Sequence, residues 1–335
     1  MLLVTGATGY VGAALLALLR ERGLPARVTV RSPERARLLP PDVPWVVADL
    51  ADPASVRRAA EGCEAVFHLA ATVGRSAEQT RRLNVLGTGT VLEAAMAAGV
   101  RRFVHTSSAA AIVDGSGLVD DAAPATTALV DPYSTSKAEA ERLVLAAAGG
   151  GLETVVVSPV SIYGPSPAGP LSYNQLFAAA ARGEITEVVD AEVGWVLAAD
   201  VAVGHLLAYE RGESGRRYVL CGQTAPFGAV LHRYAELVGS PHRVRALPAG
   251  SSLGPDASTF ASRSEVYGKL GPVRVLDPAA RALGFTPTAL ADGLPATASW
   301  MSALERSGTP GASDGSGGSG GSGAGRSGAG RPATG

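Results

Sequence analysis

Leu2-Leu3-Val4-Thr5-Gly6-Ala7-Thr8-Gly9-Tyr10-Val11-Gly12 opens the chain, and its reading decides the fold. A short β-like run enters a glycine-rich turn, and a helical stretch follows over residues 11–22. Gly6 and Gly9 permit a tight turn and close backbone approach. Gly12 lets helix and strand pack closely, and the helix N-terminus offers N–H groups to a pyrophosphate. With 42 glycines in 335 residues, glycine alone says little. The strand–loop–helix context is what predicts a dinucleotide site over Gly6, Thr8, Gly9, Tyr10, Val11 and Gly12.

Outward from this loop the pattern repeats. Strands are expected at 2–5, 27–30, 45–48, 65–69, 103–106 and 154–158, with helices over 11–22, 76–98 and 133–148 among them. Continuous apolar strands alternating with helices predict an α/β protein with a Rossmann-type doubly wound parallel sheet. Ligands then sit beyond the carboxyl ends of the strands. Pro159, Pro165, Pro167 and Pro170 loosen the pattern. After them a smaller mixed α/β portion is expected, with helices near 173–181 and 201–210 and a strand at 217–221. The expected division is a dinucleotide-binding domain over 1–160, a substrate-binding portion over 161–305 and a tail over 306–335. The tail, with Gly317-Gly318-Ser319-Gly320-Gly321-Ser322, has too few apolar residues to offset its ordering entropy and is expected to be disordered.

The end of the second strand bears on the cofactor. Readers of NAD usually carry Asp or Glu there for the ribose 2′-hydroxyl. This chain has Arg31-Ser32-Pro33-Glu34-Arg35. A guanidinium fork suits a 2′-phosphate, so Arg31 and Arg35 favour NADP, with NAD still possible.

Composition narrows the function classes. Apolar residues are 46% and charged residues 18%, as in a soluble globular protein. A net charge of −1 gives no general attraction to nucleic acid or anionic membrane. Cys63 and Cys221 lack metal-like or CxxC spacing, and the histidines at 68, 105, 205, 232 and 242 show no paired ligand spacing, so no metal is expected. Reduced thiols, an uncharged N-terminus and no apolar run of about 20 residues point to a cytoplasmic protein.

Tyr133-Ser134-Thr135-Ser136-Lys137 carries the chemistry. Lys137 and Lys269 are the only lysines, so the 29 Lys+Arg include 29 − 2 = 27 arginines. A lysine retained in so arginine-rich a chain suggests a task arginine cannot do, such as tuning a neighbour or relaying protons. Tyr133 and Lys137, at i and i+4, share one helix face. Lys137 is expected to draw the tyrosine pKa down by favouring the phenolate. Tyr133 could then exchange a proton with a substrate oxygen while hydride moves to or from a nicotinamide.

Together these segments resemble the extended short-chain dehydrogenase/reductase superfamily, also called the NAD-dependent epimerase/dehydratase family. The resemblance rests on Thr5–Gly12, Asp49-Leu50, His68-Leu69-Ala70-Ala71, Asn84-Val85-Leu86-Gly87-Thr88, Thr106-Ser107-Ser108, Tyr133–Lys137 and Tyr163-Gly164-Pro165, in the family's order. It implies Tyr133 as general acid/base and Lys137 on the nicotinamide ribose. Ser108 would polarise the substrate carbonyl, with Ser107 as alternative. Asn84 would hold the active-site helix and a relay water, or serve helix packing alone. Asp49 and Leu50 would frame the adenine, Ala70 and Ala71 the ribose side, and Pro159 and Val160 the nicotinamide. A homodimer is possible on the same ground.

Two departures favour a branch. Where nucleotide-sugar members commonly carry an asparagine, three residues before the glycine of Tyr163-Gly164-Pro165, this chain has Ser161. Where they commonly place an arginine before the Asp-Val-Ala element, it has the apolar run Val193 to Ala199. These features resemble the dihydroflavonol reductase and hydroxysteroid dehydrogenase branches. The expected partner is a small, largely apolar ketone, aldehyde or alcohol. The alternatives are a redox-neutral sugar-nucleotide epimerase or dehydratase and a non-catalytic NADP sensor. Trp195, Tyr163, Tyr173 and Phe177 are expected either in the pocket wall or in the core.

Overall fold

The computed structural model of the chain describes residues 1–149, 151–254 and 257–307. The tail expected over 306–335 lies outside the described residues except for Arg306 and Ser307. Strands in chain order are β1 (Leu2–Thr5), β2 (Ala26–Val30), β3 (Trp45–Val47), β4 (Ala65–His68), β5 (Arg102–Thr106), β6 (Leu118–Asp120) and β7 (Glu153–Pro159). They continue with β8 (Ser161–Tyr163), β9 (Glu187–Val189), β10 (Glu192–Leu197), β11 (Arg216–Leu220), β12 (Gln223–Pro226), β13 (Arg245–Leu247) and β14 (Arg274–Leu276). The α-helices are α1 (Tyr10–Glu21), α2 (Pro53–Ala60), α3 (Ala77–Arg81), α4 (Gly87–Ala97), α5 (Pro132–Ala146) and α6 (Tyr173–Ala181). After them come α7 (Ala198–Arg211), α8 (Phe227–Leu237), α9 (Thr259–Gly268), α10 (Pro278–Ala282) and α11 (Leu290–Arg306).

Seven strands form the central sheet in the order β11-β7-β5-β4-β1-β2-β3, every neighbouring pair parallel. It is the expected Rossmann-type doubly wound sheet. Side chains alternate across it. Leu2, Val4, Phe67, Val104, Val155 and Val157 face one core, completed by Leu15 and Leu19 of α1 and Val201 and Leu206 of α7. Leu3, Val66, Phe103 and Val156 face the other, completed by Val56, Val91, Leu92 and Val144. Strands buried on both faces explain why the sequence reads as continuous apolar runs.

The second half of the chain returns to this sheet. A helix over 201–210 and a strand at 217–221 were expected in the smaller portion. Instead β11 pairs with β7, Tyr218 opposite Val157, and α7 packs in the same core as α1. The smaller portion holds the sheet β12-β10-β8 and the pairs β13-β9 and β14-β6. Its core centres on Trp195, Tyr163, Phe177 and Phe227, each at most 1% exposed. Full burial of such side chains contributes roughly 1.5–3 kcal/mol apiece.

Candidate active site

A cavity of about 950 Å³ lies where strands β1, β2, β4, β5 and β7 give way to their following loops. At one end its wall is backbone. Gly6 has φ +75°, and a Cβ there would stand 2.6 Å from the Ala70 nitrogen. A Cβ on Gly12 would stand 2.2 Å from the Gly6 carbonyl oxygen. Gly6 needs glycine for conformation and for space, and Gly12 for space. Thr8, Gly9, Tyr10 and Val11 line the cavity with them, and Ala70 and Ala71 form the adjoining wall. The Ala70 N–H donates to Thr5 Oγ1, which lies 2.7 Å from His68 Nδ1. Burial, aided by the Lys137 charge, pushes His68 down to about 3, so its imidazole is neutral. Tyr10 donates to the Gly164 carbonyl at 2.5 Å and accepts from Asn174 Nδ2 at 2.8 Å. That bond ties the glycine loop to the segment after β8.

Arg31 and Arg35 line the cavity just past β2 and are exposed. No carboxylate stands at the end of β2, and Asp49 is the only acidic side chain in the lining among the described residues. Its turn is fixed by Oδ1 accepting from the Ala51 N–H and by its own N–H donating to Ser55 Oγ. Leu50 lines the wall beside it.

Tyr133 and Lys137 project from the first turns of α5. Asp131 caps this helix, its Oδ1 accepting from the N–H groups of Tyr133 and Ser134, each at 3.1 Å, and Pro132 occupies the first turn. Lys137 is 3% exposed and donates to the Thr106 carbonyl at 2.6 Å. Desolvation lowers its pKa to about 8 against the opposing pull of Glu141. At Tyr133, burial raises the pKa, opposed first by the Arg263 guanidinium and then by a hydrogen bond with Ser108. The expectation that Lys137 would draw this tyrosine down is therefore corrected. Burial dominates, and the Arg263 guanidinium carbon stands 5.4 Å from the centroid of the ring. Tyr133 is protonated at neutral pH, ready to act as an acid.

The two serines separate cleanly. Ser108 Oγ accepts from the Ala110 N–H at the start of a short 3-10 turn and stays beside Tyr133. Ser107 instead donates to Glu141 Oε2 at 2.5 Å. Glu141 is fully buried and paired with Arg217, which also donates to the Asp121 and Ala123 carbonyls. Asn84 stands behind the cavity rather than in its wall. It sits in a π turn over Arg82–Leu86 that interrupts the helix expected over 76–98. Its amide accepts from the Thr72 N–H and donates to the Thr72 carbonyl and to Ser136 Oγ, joining the cavity wall to α5.

Pro159, Val160, Ser161 and Ile162 line the floor, and Ser172, Tyr173, Arg263 and Tyr267 complete the far wall. Of the four aromatic candidates for that wall, only Tyr173 lines it. Trp195, Tyr163 and Phe177 pack edge to face or tilted against one another in the core behind it. Sequence reasoning missed Arg263 and Tyr267, whose i, i+4 spacing on α9 was the available signal. Among the described residues no group of His, Cys, Asp and Glu is placed to hold a metal ion, and no helix is long and apolar enough to cross a membrane.

The sequence model of the NAD dependent epimerase/dehydratase family matches residues 2–221. The chain belongs to this family. A Synechocystis protein assigned as a dihydroflavonol 4-reductase is 34% identical over 89% of this chain and 85% of its own length. Sterol demethylase protein B of Methylococcus capsulatus is 34% identical over 73% and 77% of the two chains. Among solved structures, MoeE5 in complex with UDP-glucose and NAD superposes with a TM-score of 0.72 at 26% identity, covering 91% of this chain and 99% of that one. Reductases thus stand beside sugar-nucleotide enzymes among the family members similar to this chain.

Proposed function

We propose that the chain is an NADP-dependent carbonyl reductase or alcohol dehydrogenase acting on a small, largely apolar ketone, aldehyde or alcohol. The observation that carries this reading is Tyr133, hydrogen-bonded to Ser108, on the same cavity as a glycine cradle that only backbone can form. A nicotinamide dinucleotide fits that cradle and would supply or accept the hydride. Gly6, Thr8, Gly9, Tyr10, Val11 and Gly12 hold its pyrophosphate, and Arg31 and Arg35 its 2′-phosphate. Asp49 and Leu50 frame the adenine, Ala70 and Ala71 the ribose side, and Pro159 and Val160 the nicotinamide.

Ser108 donates to the substrate oxygen, and Tyr133 gives that oxygen its proton. Lys137, buried and tied to the Thr106 carbonyl, orients the ribose and sets the local charge. Asn84 positions α5 through Ser136. At the two positions where nucleotide-sugar members commonly carry an asparagine and an arginine, this chain has Ser161 and the apolar run of β10, which favours a less polar substrate than a sugar diphosphate. The reductases among the relatives support the same branch.

The test follows NADPH and NADH oxidation against a panel of apolar aldehydes and ketones, with UDP-glucose as the contrasting substrate. The expected result is net oxidation, faster with NADPH. Arg31→Ala and Arg35→Ala should each weaken NADPH binding by about tenfold, the worth of one charge-assisted contact, and leave NADH binding unchanged. Turnover of UDP-glucose without net cofactor oxidation would replace this reading with epimerase chemistry.

A further inference from the structure

The substrate end of the cavity contains a cation that the chemistry above does not use. Arg263 of α9 lines the wall with its guanidinium carbon 5.4 Å from the centroid of the Tyr133 ring, and it hydrogen-bonds Tyr173. It is only partly exposed, and among the described residues no carboxylate lies within ion-pair distance. The one acidic side chain in the lining, Asp49, follows β3 at the far edge of the sheet. Withdrawing a charge from water without a partner is costly, whereas the guanidinium fork has five N–H donors and matches a carboxylate in shape. The ring face and the Tyr173 contact leave part of that fork for a ligand.

The wall around Arg263 is also strained. Ser172 is the only non-glycine residue with positive φ among the described residues, at 59°, and it lines the cavity immediately before α6. Such conformations persist where the surrounding structure enforces them, and they concentrate at ligand sites. The positive end of α6 begins on the same wall and adds to the preference for an anion.

Resting on the reductase reading, we propose that Arg263 binds a carboxylate carried by the substrate, which makes the substrate an oxo acid with a largely apolar remainder. Its carbonyl meets Tyr133 while its carboxylate meets Arg263. The carbonyl carbon gains a hydride from the reduced nicotinamide dinucleotide, which is thereby oxidised, and the carbonyl oxygen gains the Tyr133 proton. The product is the hydroxy acid, the carboxylate is unchanged, and solvent restores the proton to Tyr133.

The experiment uses the full chain and two matched pairs of probes. Binding of 4-phenylbutanoate and of its uncharged amide is measured by calorimetry with and without NADPH. Turnover is measured with 2-oxo-4-phenylbutanoate and its ethyl ester. The wild type should bind the acid at least tenfold tighter than the amide. Arg263→Ala and the longer polar Arg263→Gln should both erase that preference, and Arg263→Lys should keep part of it. Turnover of the oxo acid should fall at least tenfold more than that of the ester in Arg263→Ala, with the extra loss mainly in KM. Equal binding of acid and amide by the wild type, no binding of either, or an unchanged preference in Arg263→Ala would overturn the proposal. An equal loss on acid and ester would do so too, making Arg263 a support of Tyr133. If the acid preference depends on Arg263 but neither carbonyl compound is reduced, the anion site stands and the reductase reading falls.

Discussion

At the glycine loop the cavity wall is main chain: Gly6 and Gly12 leave no room even for a methyl group, and six residues between Gly6 and Gly12 make the surface. Around Tyr133 the wall is side chain, drawn from Ser108, Tyr133, Lys137, Ser172, Arg263 and Tyr267, on segments scattered over 160 positions of the chain. The first region is held by local geometry and leaves no space for a side chain at Gly6 or Gly12. The second is held by buried polar groups behind it: Asn84 on Thr72 and Ser136, Ser107 on Glu141, and Glu141 on Arg217. Backbone suffices to cradle a phosphate, because peptide N–H groups are the donors. Proton transfer needs titratable groups, and these have to be oriented and desolvated.

Breaking the support of the side-chain region should have the largest effect. Arg217→Met leaves Glu141 buried without its partner and should cost about 3–5 kcal/mol in denaturant unfolding. The double change Glu141→Leu with Arg217→Met should recover much of that loss. A single change that costs nothing would remove the buried pair from the account.

Gly12→Ala attacks the backbone region. Its methyl group would meet the Gly6 carbonyl, so stability should fall by about 1–3 kcal/mol and NADPH affinity should fall with it, while Arg217→Met mainly affects stability. Unchanged affinity in a folded Gly12→Ala protein would mean that the loop is not the cradle.

Lys137 sharpens the contrast from the other side. Its folded pKa of about 8 lies below the value of about 10.4 for an exposed lysine. Its contribution to stability is therefore present above the unfolded value and lost as pH falls through about 8. Lys137→Met should raise stability by roughly 1–3 kcal/mol at pH 7 and gain little at pH 10.5, measured by unfolding at both. Equal effects at the two pH values would show that Lys137 is not desolvated.

The same contrast explains what the sequence made legible. Six strands of the sheet were expected within one residue of their observed ends, because residues buried on both faces write continuous apolar runs. The pairing of β11 with β7 was not legible. It joins segments about 60 residues apart, and no local pattern records it. Every expected cofactor residue lines the cavity, since the glycine loop and its flanks are contiguous motifs. Arg263 was hidden among 27 arginines and gained meaning only from the ring beneath it. Ser107 and Ser108 are chemically alike in sequence, and only the buried Glu141 separates them. Asn174 belongs to none of the motifs read from the sequence. In the fold it bonds both the N–H and the carbonyl of Gly164 and completes the anchor of Tyr10.

The central claim is that Tyr133 is the proton donor on a cofactor site built independently of it. The most direct measurement compares Tyr133→Phe with the wild type in NADPH-dependent reduction of a carbonyl substrate, alongside NADPH binding. Turnover should fall by roughly 10²–10⁴-fold, the usual worth of a positioned acid, with NADPH affinity unchanged within threefold. Retained turnover, or loss of cofactor binding together with activity, would contradict the account.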